Sequence, residues 1–134
     1  MLGVNKIKNV KKALKNNKNY LLIGTVHKGD YIQKSQILYI EACECYSWIH
    51  IRGGSKFLGC KPIGYYQELL SVDNFLRIHR SYLINPSHVK YYEPRYRLIH
   101  LKGECTLPVS YRKNRMISKK VNTITSNMSF KIAV

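Results

Sequence analysis

The chain has 134 residues, of which 45% are hydrophobic, so it can bury the core of one small domain and is not disordered throughout. Its 23 Lys and Arg residues against 7 Asp and Glu residues give a formal charge of +16. Such an excess repels itself in a free protein and indicates an anionic partner, with nucleic acid first and an anionic membrane surface second.

The sequence contains no apolar stretch of membrane-spanning length and no secretion signal. Its longest apolar runs, such as residues 20–23, are far too short to span a bilayer, and no apolar segment follows the lysine-rich start. We therefore predict a cytoplasmic protein whose four cysteines are reduced thiols. The cysteines lack the paired spacing of a zinc site, so we expect no metal and no other cofactor.

Residues 1–19 form a basic N-terminal arm with six lysines and no acidic residue. Ile7, Val10 and Leu14 follow one another at helical spacing, which predicts a short amphipathic helix over residues 5–16. A frayed arm without a helix is the alternative. Either form can contact a phosphate backbone.

From residue 20 onwards the pattern is that of a mostly β protein with two or three short helices. Short apolar or alternating segments separated by turn residues predict strands. The predicted strands cover residues 20–26, 31–34, 37–42, 46–52, 55–60, 75–78, 82–84, 88–92, 95–101 and 104–109. The predicted helices cover residues 62–71 and 111–121, and we detect no internal repeat.

The alternation within the fourth predicted strand puts Ser47, Ile49 and Ile51 on one face. Gly53-Gly54 after it predicts a two-residue hairpin turn. The apolar face of the first helix is predicted to contain Tyr65, Tyr66, Leu69 and Leu70. Ser110 is the predicted N-cap of the second helix, on which Arg112, Arg115 and Lys119 share one face.

Residues 75–85, Phe-Leu-Arg-Ile-His-Arg-Ser-Tyr-Leu-Ile-Asn, form two strand-like halves around a polar turn. The turn brings together a ring nitrogen from His79, a guanidinium from Arg80 and a hydroxyl from the serine that follows. The proline after Asn85 pushes that residue out of the helical region, so we expect the second half to end there with Asn85 as a cap.

The acidic residues are too few and too poorly placed for an enzyme. Glu41 and Glu44 are the one close pair, and their spacing puts them on opposite faces of a strand. The sequence has no Gly-rich phosphate loop, no Gly-x-Ser-x-Gly elbow and no His-Glu-x-x-His motif. We therefore expect neither catalysis nor a small-molecule substrate.

Arginines at turns suit nucleic acid, because a guanidinium can contact phosphates or form a fork onto the edge of guanine. Arg80 lies in a turn between apolar segments, and Arg112 lies near the start of a helix that directly follows a strand. Ser110 and the free N–H groups of that helix start can take a phosphate. We predict that both arginines contact DNA, whereas His79 either sets its turn by a hydrogen bond or contacts a phosphate.

Several segments of the chain resemble the LytTR domain, the DNA-binding module of LytR/AlgR-type bacterial regulators. They are Ile37-Leu-Tyr-Ile-Glu-Ala42, Tyr46-Ser-Trp-Ile-His-Ile51, residues 75–85, Leu101-Lys-Gly103 and Leu107-Pro-Val-Ser110 with the basic exit Tyr111-Arg-Lys113. Together they cover about residues 20–120, and their common order and spacing make the resemblance specific.

The resemblance implies an elongated arrangement of short antiparallel sheets whose loops, not a recognition helix, enter successive major grooves of DNA. Carried over by motif, Arg80 and Arg112 contact bases, and the loop that holds Tyr46 and Ser47 makes a third base contact. Glu44 in that loop departs from the family pattern and would repel phosphate. The residues expected to contact phosphate are Lys61, Lys90, Lys113, Arg115 and His79.

We divide the chain into the arm (1–19), a DNA-binding domain (20–121) and a tail (122–134) that is either an edge strand or disordered. Many family members carry a receiver domain ahead of this domain, and too few residues precede it here, so we expect a stand-alone regulator or a fragment. A single small domain buries too little surface for tight specific binding. The expected partner is double-stranded DNA with repeated sites, to which the protein binds as a homodimer. We expect its activity to be controlled by a regulatory protein, by its abundance or by the basic arm.

Two other functions stay open from the sequence alone. The chain could be a protein- or membrane-interaction module that uses its basic arm, or a protein that stacks single-stranded RNA on its eleven tyrosines. Duplex DNA is favoured over RNA because most tyrosines alternate with apolar residues, and packing explains such tyrosines.

Overall fold

The computed structural model describes residues 18–24, 30–125 and 131–132. The helix predicted over residues 5–16 lies outside the described residues. Within them, the prediction of a mostly β fold with short antiparallel sheets is confirmed. No helix of the described part is both long and apolar enough to cross a membrane.

The described residues form eleven strands and two α-helices. The strands are β1 (Tyr20–Ile23), β2 (Asp30–Gln33), β3 (Ile37–Cys43), β4 (Tyr46–Ile51), β5 (Lys56–Gly59), β6 (Leu76–His79), β7 (Tyr82–Ile84), β8 (Val89–Glu93), β9 (Leu98–Leu101), β10 (Cys105–Pro108) and β11 (Lys131–Ile132). The α-helices are α1 (Ile63–Leu69) and α2 (Tyr111–Thr125), and short 3-10 turns cover Lys34–Gln36, Ser71–Asp73 and Pro86–His88.

The strands are arranged in three sheets. β1 and β2 form a two-stranded ribbon, a central sheet has the order β5-β4-β3-β7-β6, and a third sheet has the order β10-β9-β8-β11. All neighbours pair antiparallel except β11, which runs parallel to β8. The central sheet therefore joins two hairpins that are distant in sequence, through the pairing of β3 with β7.

Apolar clusters cover both faces of the central sheet where β3 and β7 meet. Ile40 and Leu83 lie opposite each other and pack with residues of β1, β2 and α1 on one face. Ile78 and Ile84 pack on the other face with residues of the third sheet and with Ile117 of α2. Each fully buried Ile or Leu side chain contributes about 1.5–3 kcal/mol, so this double-sided core stabilises the sheet at its centre.

Some predicted elements end or turn at other residues than expected. The strand predicted from residue 95 begins only at Leu98, because residues 94–97 form a turn in which Arg97 has a φ of 53°. The two-residue turn predicted at Gly53-Gly54 is wrong. The Ile51 N–H donates to the Ser55 carbonyl at 3.0 Å, so the loop has three residues and includes the arginine before the glycines.

The predicted apolar face of α1 is half wrong. Tyr66 and Leu70 are buried as expected, but Tyr65 and Leu69 are 46% and 44% exposed. The inward face is instead made by Ile63, Tyr66 and Leu70. This spacing of i, i+3 and i+7 follows one side of a helix more closely than the predicted set did.

Two predicted caps are confirmed. The Ser110 hydroxyl accepts a hydrogen bond from the Lys113 N–H at 3.2 Å at the start of α2. The Asn85 side chain accepts from the Ser87 N–H at 3.2 Å, and its amide nitrogen donates to the Ile37 carbonyl at 2.9 Å. Asn85 therefore ends β7 and fastens it to the start of β3.

The tail, residues 122–134, was expected to be either an edge strand or disordered, and the structure agrees with this only in part. Helix α2 continues to Thr125, four residues beyond the predicted end, so the first residues of the predicted tail are helical. Lys131–Ile132 then forms an edge strand on β8, as one of the two expectations had it.

The hairpins β3–β4 and β8–β9 repeat one arrangement that does not stand out in the sequence. In each, a tyrosine ring stacks on a histidine ring at 4.1 Å, and the Nε2 atom of that histidine meets a glutamate two residues beyond the tyrosine. A bulge precedes each tyrosine. The matching pairs are Tyr39 and Tyr91, Glu41 and Glu93, His50 and His100, and Arg52 and Lys102. The hairpin turns differ in length, two residues against four, which hides the repeat in the sequence.

Gly59 and Gly64 provide a matched test of the packing of α1 against β5. A Cβ at Gly59 would lie 2.9 Å from Cζ of the buried Tyr66 ring, whereas a Cβ at Gly64 would meet nothing within 4 Å. We expect Gly59→Ala to destabilise the fold by about 1–3 kcal/mol through overpacking. Gly64→Ala is expected to stabilise it by about 0.5–1 kcal/mol, because alanine is the better helix former. Urea unfolding measures both, and equal effects would contradict the packing geometry.

His88 makes the stability depend on pH. Its Nε2–H donates to the Ser35 carbonyl at 2.6 Å, its Nδ1 has no partner among the described residues, and the side chain is buried. Burial lowers the pKa of His88 below its ordinary 6.5. The folded state therefore resists protonation more than the unfolded state does. This contribution to stability is present above about pH 6.5 and is lost as the pH falls through the lower folded-state pKa.

We expect the urea midpoint of the wild type to fall between about pH 7.5 and pH 5 for this reason. His88→Gln should be less stable at neutral pH, by about 1–3 kcal/mol for the disturbed buried hydrogen bond. It should lose less of its stability on acidification than the wild type does. An identical pH dependence in both proteins would exclude His88 as the titrating group.

Candidate nucleic-acid interface

The turns at one edge of the central sheet lie side by side. Because β3 and β7 are antiparallel, the end of β3 meets the start of β7, and the Ala42 N–H donates to the Ser81 carbonyl at 2.9 Å. The β3–β4 turn, Glu44-Cys45, is therefore a neighbour of the β6–β7 turn, Arg80-Ser81. Two of the predicted contact loops thus belong to one surface although they are far apart in sequence.

Ser47 fastens a third connection to this edge. Its hydroxyl donates to the Lys61 carbonyl at 2.9 Å, which holds the segment between β5 and α1. Its side chain is completely buried, so the structure gives no geometric support to the predicted base contact by Ser47. Tyr46, the residue before it, is 45% exposed, and Lys61 is exposed above the Tyr65 ring.

The start of α2 lies beside the β6–β7 turn. The Ser110 N–H donates to the Ile78 carbonyl at 2.9 Å, directly before His79 and Arg80. Arg112 follows in the first turn of the helix and is exposed. The two arginines that the sequence singles out are thereby brought to the same place by one backbone hydrogen bond.

A cleft of about 420 Å³ opens between the β6–β7 turn and the start of α2. Its lining residues are Gln67, Arg77, His79, Arg80, Ser110, Arg112 and Lys113. Four of these seven carry a full positive charge and none is acidic. The cleft therefore has the electrostatic character of a phosphate-binding surface.

Arg77 supports the β6–β7 turn from within the cleft. Its Nε donates to the His79 carbonyl at 2.8 Å, and its terminal nitrogens donate to the Arg80 carbonyl at 2.5 Å and to Oε1 of Gln67 at 2.7 Å. All three acceptors are neutral. Burial lowers the pKa of Arg77, but a guanidinium stays charged at neutral pH. Arg77 thus fixes the backbone of the turn, ties it to α1 and adds an uncompensated charge.

The His79 ring closes the same turn. Its Nδ1 accepts a hydrogen bond from the Ser81 N–H at 3.0 Å, so the proton of the neutral ring is on Nε2. Burial first, then the charges of Arg80 and Arg77, lowers the pKa of His79. Of the two roles expected for this residue, setting the turn is the one that the structure shows.

The remaining predicted contacts divide into two groups. Lys113 lines the cleft, and Arg115 is exposed on α2 three residues beyond Arg112, which puts it on the same face of the helix. Lys90 is exposed near the start of β8, whereas α2 meets the opposite end of that hairpin, through the Val109 N–H. The structure therefore does not bring Lys90 to the cleft, and its expected phosphate contact has no geometric support.

Two features of this edge were not anticipated from the sequence. The first is the support that Arg77 gives to the turn. The sequence did contain a signal for it, because residues two apart in a strand share a face, and Arg77 therefore lies on the same face as His79. The second is the β8–β9 turn, residues 94–97, which lies next to the start of α2 and contains two arginines.

A β domain that gathers turns and a helix start around a basic cleft without acidic lining residues has the electrostatic features of a nucleic-acid-binding domain. The LytTr DNA-binding domain model matches residues 27–122, so the chain belongs to this family. The predicted resemblance is confirmed. The family is one of DNA-binding domains, so DNA binding is the function that family membership gives this domain.

Two known proteins are similar to this chain. The CO-responsive transcriptional regulator RcoM of Rhodospirillum rubrum is 29% identical over 73 residues, a match that covers 54% of this chain and 30% of RcoM. The solved LytTr DNA-binding domain of a response regulator from Bacillus cereus has a TM-score of 0.67 at 21% identity, covering 78% of this chain and 98% of that domain. The second likeness confirms the fold.

The support from Arg77 can be separated from its charge. Arg77→Lys keeps the charge but cannot reproduce the three hydrogen bonds of the guanidinium. We expect the preference for a selected DNA site over scrambled duplex to fall by about tenfold or more, because the backbone of Arg80 is no longer fixed. The salt dependence of binding should stay unchanged. Gln67→Ala, which removes one of the three bonds, should have a smaller effect in fluorescence-anisotropy titrations.

Proposed function

We propose that this chain is a sequence-specific transcription regulator that binds duplex DNA through its loops, with Arg80 and Arg112 contacting bases. The observation that carries this proposal is the Ser110–Ile78 hydrogen bond, which places the two arginines beside one cleft without an acidic residue. The loop at Tyr46 supplies a third contact with an exposed aromatic side chain. Glu44 beside it weakens any phosphate contact there.

The phosphate contacts that this geometry supports are those around the base-contacting arginines. Lys113 lines the same cleft, Arg115 is exposed farther along α2, and the exposed Lys61 is held near Tyr46 by the hydrogen bond from Ser47 to its carbonyl. His79 can add a contact through Nε2–H, since its Nδ1 is occupied by the turn. These contacts position the domain and carry most of the salt dependence.

The regulator role is supported by the relative RcoM, which is named as a transcriptional regulator. Binding to repeated sites, with two copies on the DNA, follows from the small surface that one domain can bury. The domain boundaries at 20 and 121, the cytoplasmic location and control by a partner protein stay predictions.

The first test is selection of duplex DNA from a random pool at about physiological salt, where binding through phosphates alone is suppressed. Recovery of a motif, with copies about one helical turn apart, is the expected result. A pool that stays random would contradict base contacts by either arginine. Preference for unpaired RNA, or binding only to acidic lipid vesicles, would favour one of the two other functions that the sequence leaves open.

Two variants separate base contact from phosphate contact. Arg80→Ala should cost about 1–3 kcal/mol against the selected site and should relax the preference at one position. Lys113→Ala should weaken binding to all duplexes alike and make the salt slope shallower by about one unit. Titrations against selected and scrambled duplexes at several salt concentrations measure both. Equal losses of affinity on the two duplexes for Arg80→Ala would remove its base-contacting role.

A further inference from the structure

We propose that the β8–β9 turn, residues 94–97, is a further DNA-contacting element that binds backbone phosphates next to the site of Arg112. The inference rests on the proposed function, because it extends the same surface. It is carried by three independent observations: the internal repeat, the position of the turn, and the chemistry of its side chains.

The internal repeat makes this turn the structural counterpart of the β3–β4 turn. The two hairpins share the stacked Tyr–His pair, the glutamate on the histidine and the bulge before the tyrosine. Each hairpin turn also contains one non-glycine residue in the left-handed region, Glu44 with a φ of 54° and Arg97 with a φ of 53°. If the first turn contacts DNA, the repeat offers a second turn at the equivalent end of a hairpin that is built in the same way.

The position of the turn puts it on the same surface as the cleft. The Val109 N–H donates to the Arg97 carbonyl at 2.7 Å, and the next residue, Ser110, donates to the Ile78 carbonyl at 2.9 Å. These two consecutive bonds place the start of α2 between the β8–β9 turn and the β6–β7 turn. A duplex that contacts Arg80 and Arg112 would therefore also reach residues 94–97.

The side chains of the turn suit phosphate. Arg95, Tyr96 and Arg97 are all exposed, with Tyr96 at 62%. The Arg97 guanidinium lies 5.4 Å from the centroid of the Tyr111 ring, and that of Arg95 lies 5.6 Å from the Tyr96 ring. Such contacts hold the guanidinium planes and leave their N–H edges free for an oxyanion. Neither arginine has a carboxylate within 4.0 Å among the described residues.

The charge of this turn is opposite to that of its counterpart. The β3–β4 turn holds Glu44, which opposes phosphate, whereas the β8–β9 turn holds two arginines and no acid. We therefore infer that the two hairpin turns make different contacts with DNA, and that the turn of the second hairpin makes the phosphate contacts. An acidic protein surface is the other partner that such a turn could bind, and binding measurements on duplex DNA distinguish the two.

The test uses two double variants of the full chain with equal changes in charge. Arg95→Gln with Arg97→Gln removes two cations from the turn. Arg52→Gln with Lys102→Gln removes two exposed cations from the other ends of the same hairpins, where both line a separate cleft. Circular dichroism and thermal unfolding of both proteins establish that they are folded before binding is compared.

We expect the turn variant to bind selected and scrambled duplexes more weakly by the same factor, and its salt slope to be shallower by about 0.9 for each phosphate that it no longer neutralises. The control variant should keep a slope close to that of the wild type. Arg95→Lys with Arg97→Lys, which keeps the charge, should restore most of the slope. Slopes that change equally in the turn and control variants would overturn the proposal, because total charge would then explain the effect.

A measurement on the wild-type protein needs no variant of the turn. Ethylation of individual phosphates in the selected site should interfere with binding beyond the base pairs that Arg112→Ala no longer recognises. Absence of interference there would overturn the proposal, even while the motif and the effect of Arg80→Ala support the proposed function. Failure to recover any motif would overturn the proposed function instead. Binding of the turn to an acidic protein, with duplex binding unchanged in the turn variant, would overturn only the present proposal.

Discussion

The antiparallel pairing of β3 with β7 is the constraint on which the rest of the structure depends. Ile40 and Leu83 face each other there with no exposed surface, so a shift of register by one residue would turn apolar side chains out of one core and polar ones into it. Asn85 fastens one end of this pairing to the Ile37 carbonyl. The bond from Ala42 to Ser81 holds the other end. The positions of the turns at the candidate interface are therefore set mainly by this buried packing and less by the sequences of the turns.

Several acidic side chains are paired, whereas the described cations at the candidate interface have no acidic partner. Three acidic residues of the described part pair with cationic or histidine side chains: Asp73 with Lys34, Glu41 with His50, and Glu93 with His100. Among the described residues, the cations around the cleft have no carboxylate partner within 4.0 Å, and Arg77 donates only to neutral oxygens. Bringing these cations together costs electrostatic free energy in the free domain. Binding of DNA removes that cost and releases counterions, so the repulsion within the surface is converted into affinity.

The sequence predicts those features that depend on neighbours along the chain. The alternation of apolar residues identifies the strands, and Ser110 and Asn85 act as the caps that their residue types favour. Prediction from the sequence fails for features that are set by contacts between distant segments. Ser47 was expected on the surface because its family loop is a contact loop, yet the turn of the chain at Lys61 covers its side chain. The repeat escaped notice because its two hairpins differ in turn length, and only pairing between strands shows that Tyr39 and Tyr91 are equivalent.

The asymmetry of the repeat bears on how two copies would sit on DNA. If both hairpin turns contact the duplex, as we propose, the acidic turn at Glu44 and the basic turn at Arg95 and Arg97 lie on either side of the β6–β7 turn and the start of α2. Such a surface has a direction, because the phosphates near one end are held strongly and those near the other weakly. The direction of a DNA site would then fix the orientation of the domain that binds it. Sites repeated in the same direction then align the copies head to tail, which places the basic turn of one copy toward the acidic turn of the next.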